Sequence, residues 1–176
     1  IIRNMPHKTT VPQRKNHRVG VFVDVSNMYH SAKNLYHSRV NFGELLKLAT
    51  ASRQLVRAVA YVVKSDTEEE KAFFNALEKA GYELKSKDLQ VFPGGMKKGD
   101  WDVAVAIDAI SLSKQLDVVV LVSGDGDYEP LVEYLKYSGV IVEVMGFRRS
   151  TSSKLVDVAN NFIDLDEVKD KVILKK

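Results

Sequence analysis

DVVVLVSGDGDYEPLVEYLKYSGVIVEVMGF, residues 117–147, decides the fold. Its opening run, 117–123, is aliphatic and β-branched without polar alternation, the pattern of a strand covered on both faces. The run breaks at S-G-D-G-D. YEPLVEYLKYSG (128–139) then carries Leu131, Val132 and Leu135 at helical spacing, with Pro130 in the first turn and Gly139 as a stop. VIVEVMGF (140–147) resumes the buried pattern, so the stretch reads as a strand, a helix and a second strand. Asp125 and Asp127 stand where the first of these strands ends, although neighbouring carboxylates repel.

The same alternation extends in both directions. VGVFVDV (19–25) is an apolar strand with Asp24 near its end, and NFGELLKLATAS (41–52) has helical spacing. LVRAVAYVV (55–63) is a second strand. Ser65 and Glu68 form a capping-box signature for a helix that turns Phe73, Phe74, Leu77 and Ala80 inward and stops at Gly81. YELKSKDLQVF (82–92) is a strand or strand pair at a sheet edge, and PGGMKKG (93–99) is a loop. DVAVAIDAISLS (102–113) is a helix with small residues suited to close packing on a sheet. STSSKLVDVANNF (150–162) is a short helix running into a last short strand. Strands alternating with helices predict an α/β fold with a parallel sheet covered on both faces. In such sheets ligands bind beyond the carboxyl ends of the strands, near a topological switch point. If the strands at 19–25 and 117–123 are neighbours, Asp24, Ser123, Asp125 and Asp127 converge on one edge.

Composition narrows the field. The 176 residues, 45% hydrophobic, predict one domain with an ample core. The absence of cysteine excludes disulfides, a thiolate nucleophile and a cysteine-held zinc. No apolar stretch approaches the ~20 residues of a membrane span, and the first residues lack a signal-peptide core, so a cytoplasmic protein without membrane contact is expected. The net charge of +3 is unevenly spread: Arg3, His7, Lys8, Arg14, Lys15, His17 and Arg18 crowd a segment without an acid. The reading is a flexible basic arm at 1–17, a folded domain at 18–165 and a polar tail at 166–176.

The acids carry the chemistry. Asp102 opens the helix that leads into the strand at 117–123, while Asp108, six residues on, lies roughly 120° further round it. Singly, each acid has an ordinary role: D-G-D is a turn with Asp127 as a helix N-cap, and Asp102 suits a helix N-terminus. Jointly, Asp24, Asp102, Asp125 and Asp127 need a cation or bound protons. All-oxygen ligands suit Mg²⁺ or Mn²⁺, which work with phosphate oxygens. Asn27 follows Asp24 closely enough to hold a water, a phosphate or a carboxylate. Lys64, Lys97, Lys98, Arg148 and Arg149 flank the same edge and are candidate phosphate-backbone contacts.

VFVDVSN, then KKGDWDVAVAIDAI, then the stretch at 117–147 resemble, in that order, the NYN domain and within it the bacterial LabA-like branch of the PIN-like nuclease superfamily. The resemblance covers about residues 18–165. It implies a PIN-like (Rossmann-like) three-layer α/β/α sandwich with a central, mainly parallel sheet, and metal-dependent phosphodiester hydrolysis, usually of RNA. Carried over by motif, the catalytic residues are Asp24, Asn27, Asp102, Asp125 and Asp127, with Ser123 and Asp108 supporting them. Mg²⁺ or Mn²⁺ would be held by Asp24, Asp102, Asp125 and Asp127 and would acidify a bound water, without a side-chain nucleophile. RNA is the implied partner, and a homodimer is allowed. One position departs from the pattern: members often carry an acid where this chain has Asn160. Two other classes stay open. One is an RNA-binding or regulatory module of the same fold without turnover. The other is a receiver-like phospho-acceptor, against which the acids on the 102–113 helix and the lack of a matching strand-end lysine both speak.

Overall fold

Strand β1 (Arg18–Asp24) is the axis of the sheet, and the chain builds outward from it twice. The computed structural model describes residues 10–175, apart from 66, 89, 92, 94–96 and 99 and the side chains of 90, 91, 97 and 98. After β1 come α1 (Val25–Tyr36), α2 (Phe42–Thr50), β2 (Gln54–Lys64), α3 (Glu68–Ala80) and β3 (Glu83–Asp88). A two-stranded antiparallel ribbon of β4 (Gln90–Val91) and β5 (Lys97–Lys98) precedes α4 (Asp102–Ser113). The second half runs β6 (Val118–Val122), α5 (Glu129–Tyr137), β7 (Ile141–Gly146), α6 (Ser153–Val158), β8 (Asn161–Asp164) and α7 (Lys169–Val172). The six-stranded sheet has the order β3-β2-β1-β6-β7-β8, and every neighbouring pair is parallel. The chain therefore grows to one side as far as β3, returns, and grows to the other side from β6. The switch point lies between β1 and β6.

Two cores cover the two faces. Val19, Val21 and Val23 of β1 and Val118, Val120 and Val122 of β6 pack with Met28 of α1, Leu45 and Ala49 of α2 and Leu77 of α3. Phe22, Val119, Leu121, Val142 and Val144 face the other way, onto Val105 and Ala109 of α4, Leu131 and Leu135 of α5 and Leu155 of α6. Alternation within runs that look uniformly apolar is what strands buried on both faces require. This is the three-layer α/β/α arrangement expected from the sequence. No helix among the described residues is long and apolar enough to cross a membrane.

Several local expectations are corrected. The cap of α3 is Thr67, whose hydroxyl accepts from the Glu70 N–H, rather than Ser65 with Glu68; Glu70 instead reaches back to the Ser65 N–H at 2.7 Å. The geometry is a capping box shifted by two residues, with Glu70 bonding Ser65 instead of the cap itself. The 93–99 segment is not all loop, since Lys97–Lys98 pairs with Gln90–Val91. The stretch read as a polar tail packs down, with Val172 buried and Val40 bridged to Ile173.

A buried ion pair ties the far end of the sheet together. Ala51 and Ser52 both take left-handed backbone (φ 48° and 60°) between α2 and β2. Arg53 holds that turn, with Nε donating to the Thr50 carbonyl (3.0 Å) and Nη2 to the Ala49 carbonyl (2.8 Å), which satisfies carbonyls a helix end leaves unpaired. The same guanidinium grips Glu143 of β7 through Nη1 (3.1 Å) and Nη2 (2.8 Å), both side chains being 1% exposed. Gln13 and Asn161 also donate to Glu143, and Asn161 exchanges two hydrogen bonds with the Val11 backbone. The described part of the arm is thus laid against the sheet. Of its first nine residues, including Arg3, His7 and Lys8, nothing is described.

Removing one partner of a buried pair strands the other charge, at about 3–5 kcal/mol. Arg53→Met is expected to lose that much in a urea titration, and Arg53→Met with Glu143→Leu to regain most of it. A single variant within ~0.5 kcal/mol of wild type would show that the pair contributes nothing to stability.

Candidate metal centre

The sequence turns sharply at both ends of the switch point, and each turn fixes a carboxylate. Asp24 leaves β1 in an extended conformation and caps α1, its Oδ1 accepting the Asn27 N–H at 3.0 Å. Asn27 in turn accepts the Gly124 N–H through Oδ1 at 2.9 Å, which stitches the end of β1 to the end of β6. Beyond β6, Ser123 Oγ accepts the Asp125 N–H (3.2 Å), and Asp125 Oδ1 accepts the Asp127 N–H (3.0 Å). Asp125, not Asp127, is therefore the cap, and it opens a short 3-10 turn, Gly126–Tyr128. Position 124 must be glycine because a Cβ there would lie 2.6 Å from the Ser150 carbonyl. The Ser152 N–H donates to the Gly124 carbonyl at 2.9 Å and holds the turn from the other side.

Asp102 arrives from a third direction, as the first residue of α4. Trp101 sets its position: the indole Nε1 donates to the Val62 carbonyl at 3.1 Å and the ring packs against Tyr61. Trp101 is therefore occupied in packing, as is Phe147, which is fully buried. The three acids Asp102, Asp125 and Asp127 each bring one carboxylate oxygen within 4.8 Å of the others. Asp24 lies deeper and almost fully buried, in the same cleft of about 690 Å³. His30, Asn34, Lys64, Asp100 and Ser150 also line that cleft.

The electrostatics follow from burial and crowding. Burial raises the Asp24 carboxyl above its ordinary value; the Asn27 N–H opposes this, and the charges of Asp102 and Asp125 add to it. Burial likewise raises Asp102, with Asp125 next in effect. Among the described residues no lysine or arginine pairs with Asp24, Asp102, Asp125 or Asp127. The neutral donor in their midst is Tyr128, whose hydroxyl donates to Asp24 Oδ2 at 3.4 Å and also eases the charge of Asp102. Burial and then the charge of Asp24 raise the Tyr128 phenol, so it stays a donor. In the sequence Tyr128 shows only as the start of a helix. Its signal was its place directly after S-G-D-G-D, where a buried hydroxyl needs a partner.

The remaining expected residues separate. Asp108 stands apart from the cluster: its carboxylate accepts from Lys85 (2.7 Å) and Tyr61 (2.7 Å). Burial pushes Asp108 up, but those hydrogen bonds outweigh it and leave the carboxyl below its ordinary value. Arg149 is paired with Asp166 at 3.1 Å and lies over the Tyr36 ring. Arg148 is exposed, and no acid among the described residues pairs with its side chain. The side chains of Lys97 and Lys98 lie outside the described residues. Asn160, where an acid was expected, accepts the Val142 N–H through Oδ1 at 2.8 Å and thus completes the edge of β7.

Known proteins resemble this chain over most of its length. The family model described as NYN domain matches residues 18–166. The chain is 24% identical to the Low amplitude and bright protein LabA of Synechococcus elongatus, with 86% of each chain covered. It is similar to a crystal structure of a protein of unknown function from Vibrio parahaemolyticus, with a TM-score of 0.84 and 33% identity, covering 93% of this chain and all of that one. With its motifs in order, its parallel sheet and its acids at the switch point, the chain belongs to the NYN domain family.

Proposed function

We propose that the protein is a metal-dependent nuclease that hydrolyses phosphodiester bonds of RNA. The observation that carries this reading is the set of three carboxylates within 4.8 Å of one another, at the switch point, without a cationic partner among the described residues. The donor set fits Mg²⁺ or Mn²⁺, because it is all oxygen and anionic. Asp102, Asp125 and Asp127 would hold the ion, with Asp24 a fourth carboxylate at the deep end of the cleft. A divalent cation bound there supplies Lewis acidity and lowers the pKa of a coordinated water.

The chain's own groups do the rest. Asn27 and Tyr128 orient the Asp24 carboxylate, and Ser123 and Gly124 fix the direction of Asp125. Lys64 and His30 at the rim, with exposed Arg148 on the loop after β7, offer cationic or donor groups to an entering phosphate. Asp108, held by Lys85 and Tyr61, fastens α4 to β2 and β3 and so supports Asp102 indirectly. Its role is to position the helix.

Two measurements test the reading. In the unfolded chain Asp24 titrates near ~3.9, and folding raises it, so folding takes up a proton between the two values. Ionised Asp24 therefore costs stability above that window, and the cost vanishes as pH falls below ~3.9. In chelator at neutral pH, Asp24→Asn is expected to melt above wild type, since asparagine caps a helix as well as aspartate. The gap should close towards pH 4. Millimolar Mn²⁺ should raise the wild-type melting temperature and raise the variant's much less; an unmoved wild type would count against a metal site.

The second measurement is cleavage of end-labelled single-stranded RNA with Mn²⁺, Mg²⁺ or chelator. Cleavage should require metal, and Asp125→Asn should lower the rate at least ~100-fold, more than the loss of a residue that merely orients a ligand. Affinity for RNA should persist, because the substitution relieves repulsion towards phosphate. Full activity in a folded Asp125→Asn protein would remove Asp125 from the mechanism.

A further inference from the structure

The acidic cleft does not end at its carboxylates. Helix α1 runs away from Asp24, and its side chains divide between two depressions. Ser26, His30 and Asn34 line the acidic cleft. Tyr29, Lys33 and His37 line a second depression of about 330 Å³, bounded further by Arg39 and Lys175. At ~100° per residue, positions 26, 29, 30, 33 and 37 fall within an arc of roughly 100°, so they form one ridge. Tyr29 lines one depression and its neighbour His30 the other, and their rings make an edge-to-face contact with centroids 5.3 Å apart.

The second depression has the opposite sign to the first. It gathers Lys33, Arg39 and Lys175 with His37, and no acid among the described residues lines it. Tyr29 is 41% exposed, and the Lys33 ammonium lies 5.6 Å from its ring centroid. The cations sit on fixed backbone: the Leu174 N–H donates to the Arg39 carbonyl (2.8 Å), and Ser38 Oγ donates to the Leu174 carbonyl (2.6 Å). Lys33 lies nine residues beyond Asp24, about 14 Å along α1, which is about four nucleotides of a stacked strand at roughly 3.4 Å each. An exposed ring among cations, at that distance from a site for one phosphodiester, matches how single strands are held, with bases on aromatic rings and phosphates on lysine and arginine.

We propose that Tyr29, Lys33, Arg39 and Lys175 form a binding track for the single-stranded RNA that flanks the scissile phosphodiester. Tyr29 stacks a base, and the three cations contact phosphates. The choice of ligand rests on the nuclease reading above, so the test measures binding without cleavage.

Fluorescence anisotropy in chelator would compare labelled RNA of about 12 nucleotides, long enough to reach from cleft to track, with RNA of about two, too short to span them. Wild type should bind the longer strand more tightly. Tyr29→Ala should weaken the longer strand at least about fivefold, while Tyr29→Phe binds like wild type, because stacking needs the ring and not the hydroxyl. Lys33→Ala with Arg39→Ala should flatten the log–log salt slope by about 1.4, two phosphate contacts' worth for a single strand. Melting temperatures and the Mn²⁺-induced gain should match wild type in all of them. Variants that bind the long strand as wild type does would overturn the track whatever the cleavage assay gives. RNA binding that depends on Tyr29 in a protein that cuts nothing would leave the track standing and remove the nuclease reading. No RNA binding by wild type would remove both.

Discussion

The parallel pairing of β1 with β6 is the constraint on which the rest depends. Val23 lies beside Val122, so both strands reach the same edge and end together. From that edge β1 feeds α1 on one face of the sheet, and β6 leads through its turn to α5 on the other. The two connections diverge and leave a crevice between them, as they must where strand order reverses. A slip of one residue would also exchange the two faces, sending Val21 and Val120 towards α4 and α5.

The crevice brings together charges that no lysine or arginine among the described residues neutralises. Several acids elsewhere have cationic partners. At the opposite end of β1, Arg18 holds Asp117 through its guanidinium and its backbone N–H, and Asp117 titrates at about 2. Asp108 is met by Lys85, and Glu143 by Arg53. At the switch point the carboxyls of Asp24 and Asp102 are instead raised by burial and by their neighbours. Backbone hydrogen bonds hold this unfavourable arrangement in place, from Asn27 to Asp24, from Gly124 to Asn27 and from Asp127 to Asp125. A site that stores repulsion this way gains most from a ligand of opposite charge.

The scaffold that tolerates the strain is anchored at a distance. Arg53 gathers two carbonyls of α2 and the carboxylate of β7, and Glu143 collects Gln13 and Asn161 as well. Every donor of that buried guanidinium that the fold engages has an acceptor, the condition under which a buried charge is tolerable. The described end of the arm and the segment around Ile173 close the same face of the sheet, where the helices leave it open.

Strand and helix identity were legible in the sequence because periodicity reports burial, and burial is a local pattern repeated along the chain. The runs at 19–25, 55–63, 117–123 and 140–147 are strands, and they place Asp24, Asp125 and Asp127 at strand ends. The motif order pointed to the NYN domain for the same reason. Periodicity carries no information about which elements meet. The sequence already grouped Asp102 with the strand-end acids, but only the tertiary structure gave Asp108, on the same helix, to Lys85 and Tyr61, because that choice depends on how α4 lies against the sheet. It also set Tyr128 among the acids and paired Arg149 with Asp166. Those outcomes rest on distances between segments far apart in the chain, which strand order and helix orientation fix and no single stretch of residues encodes.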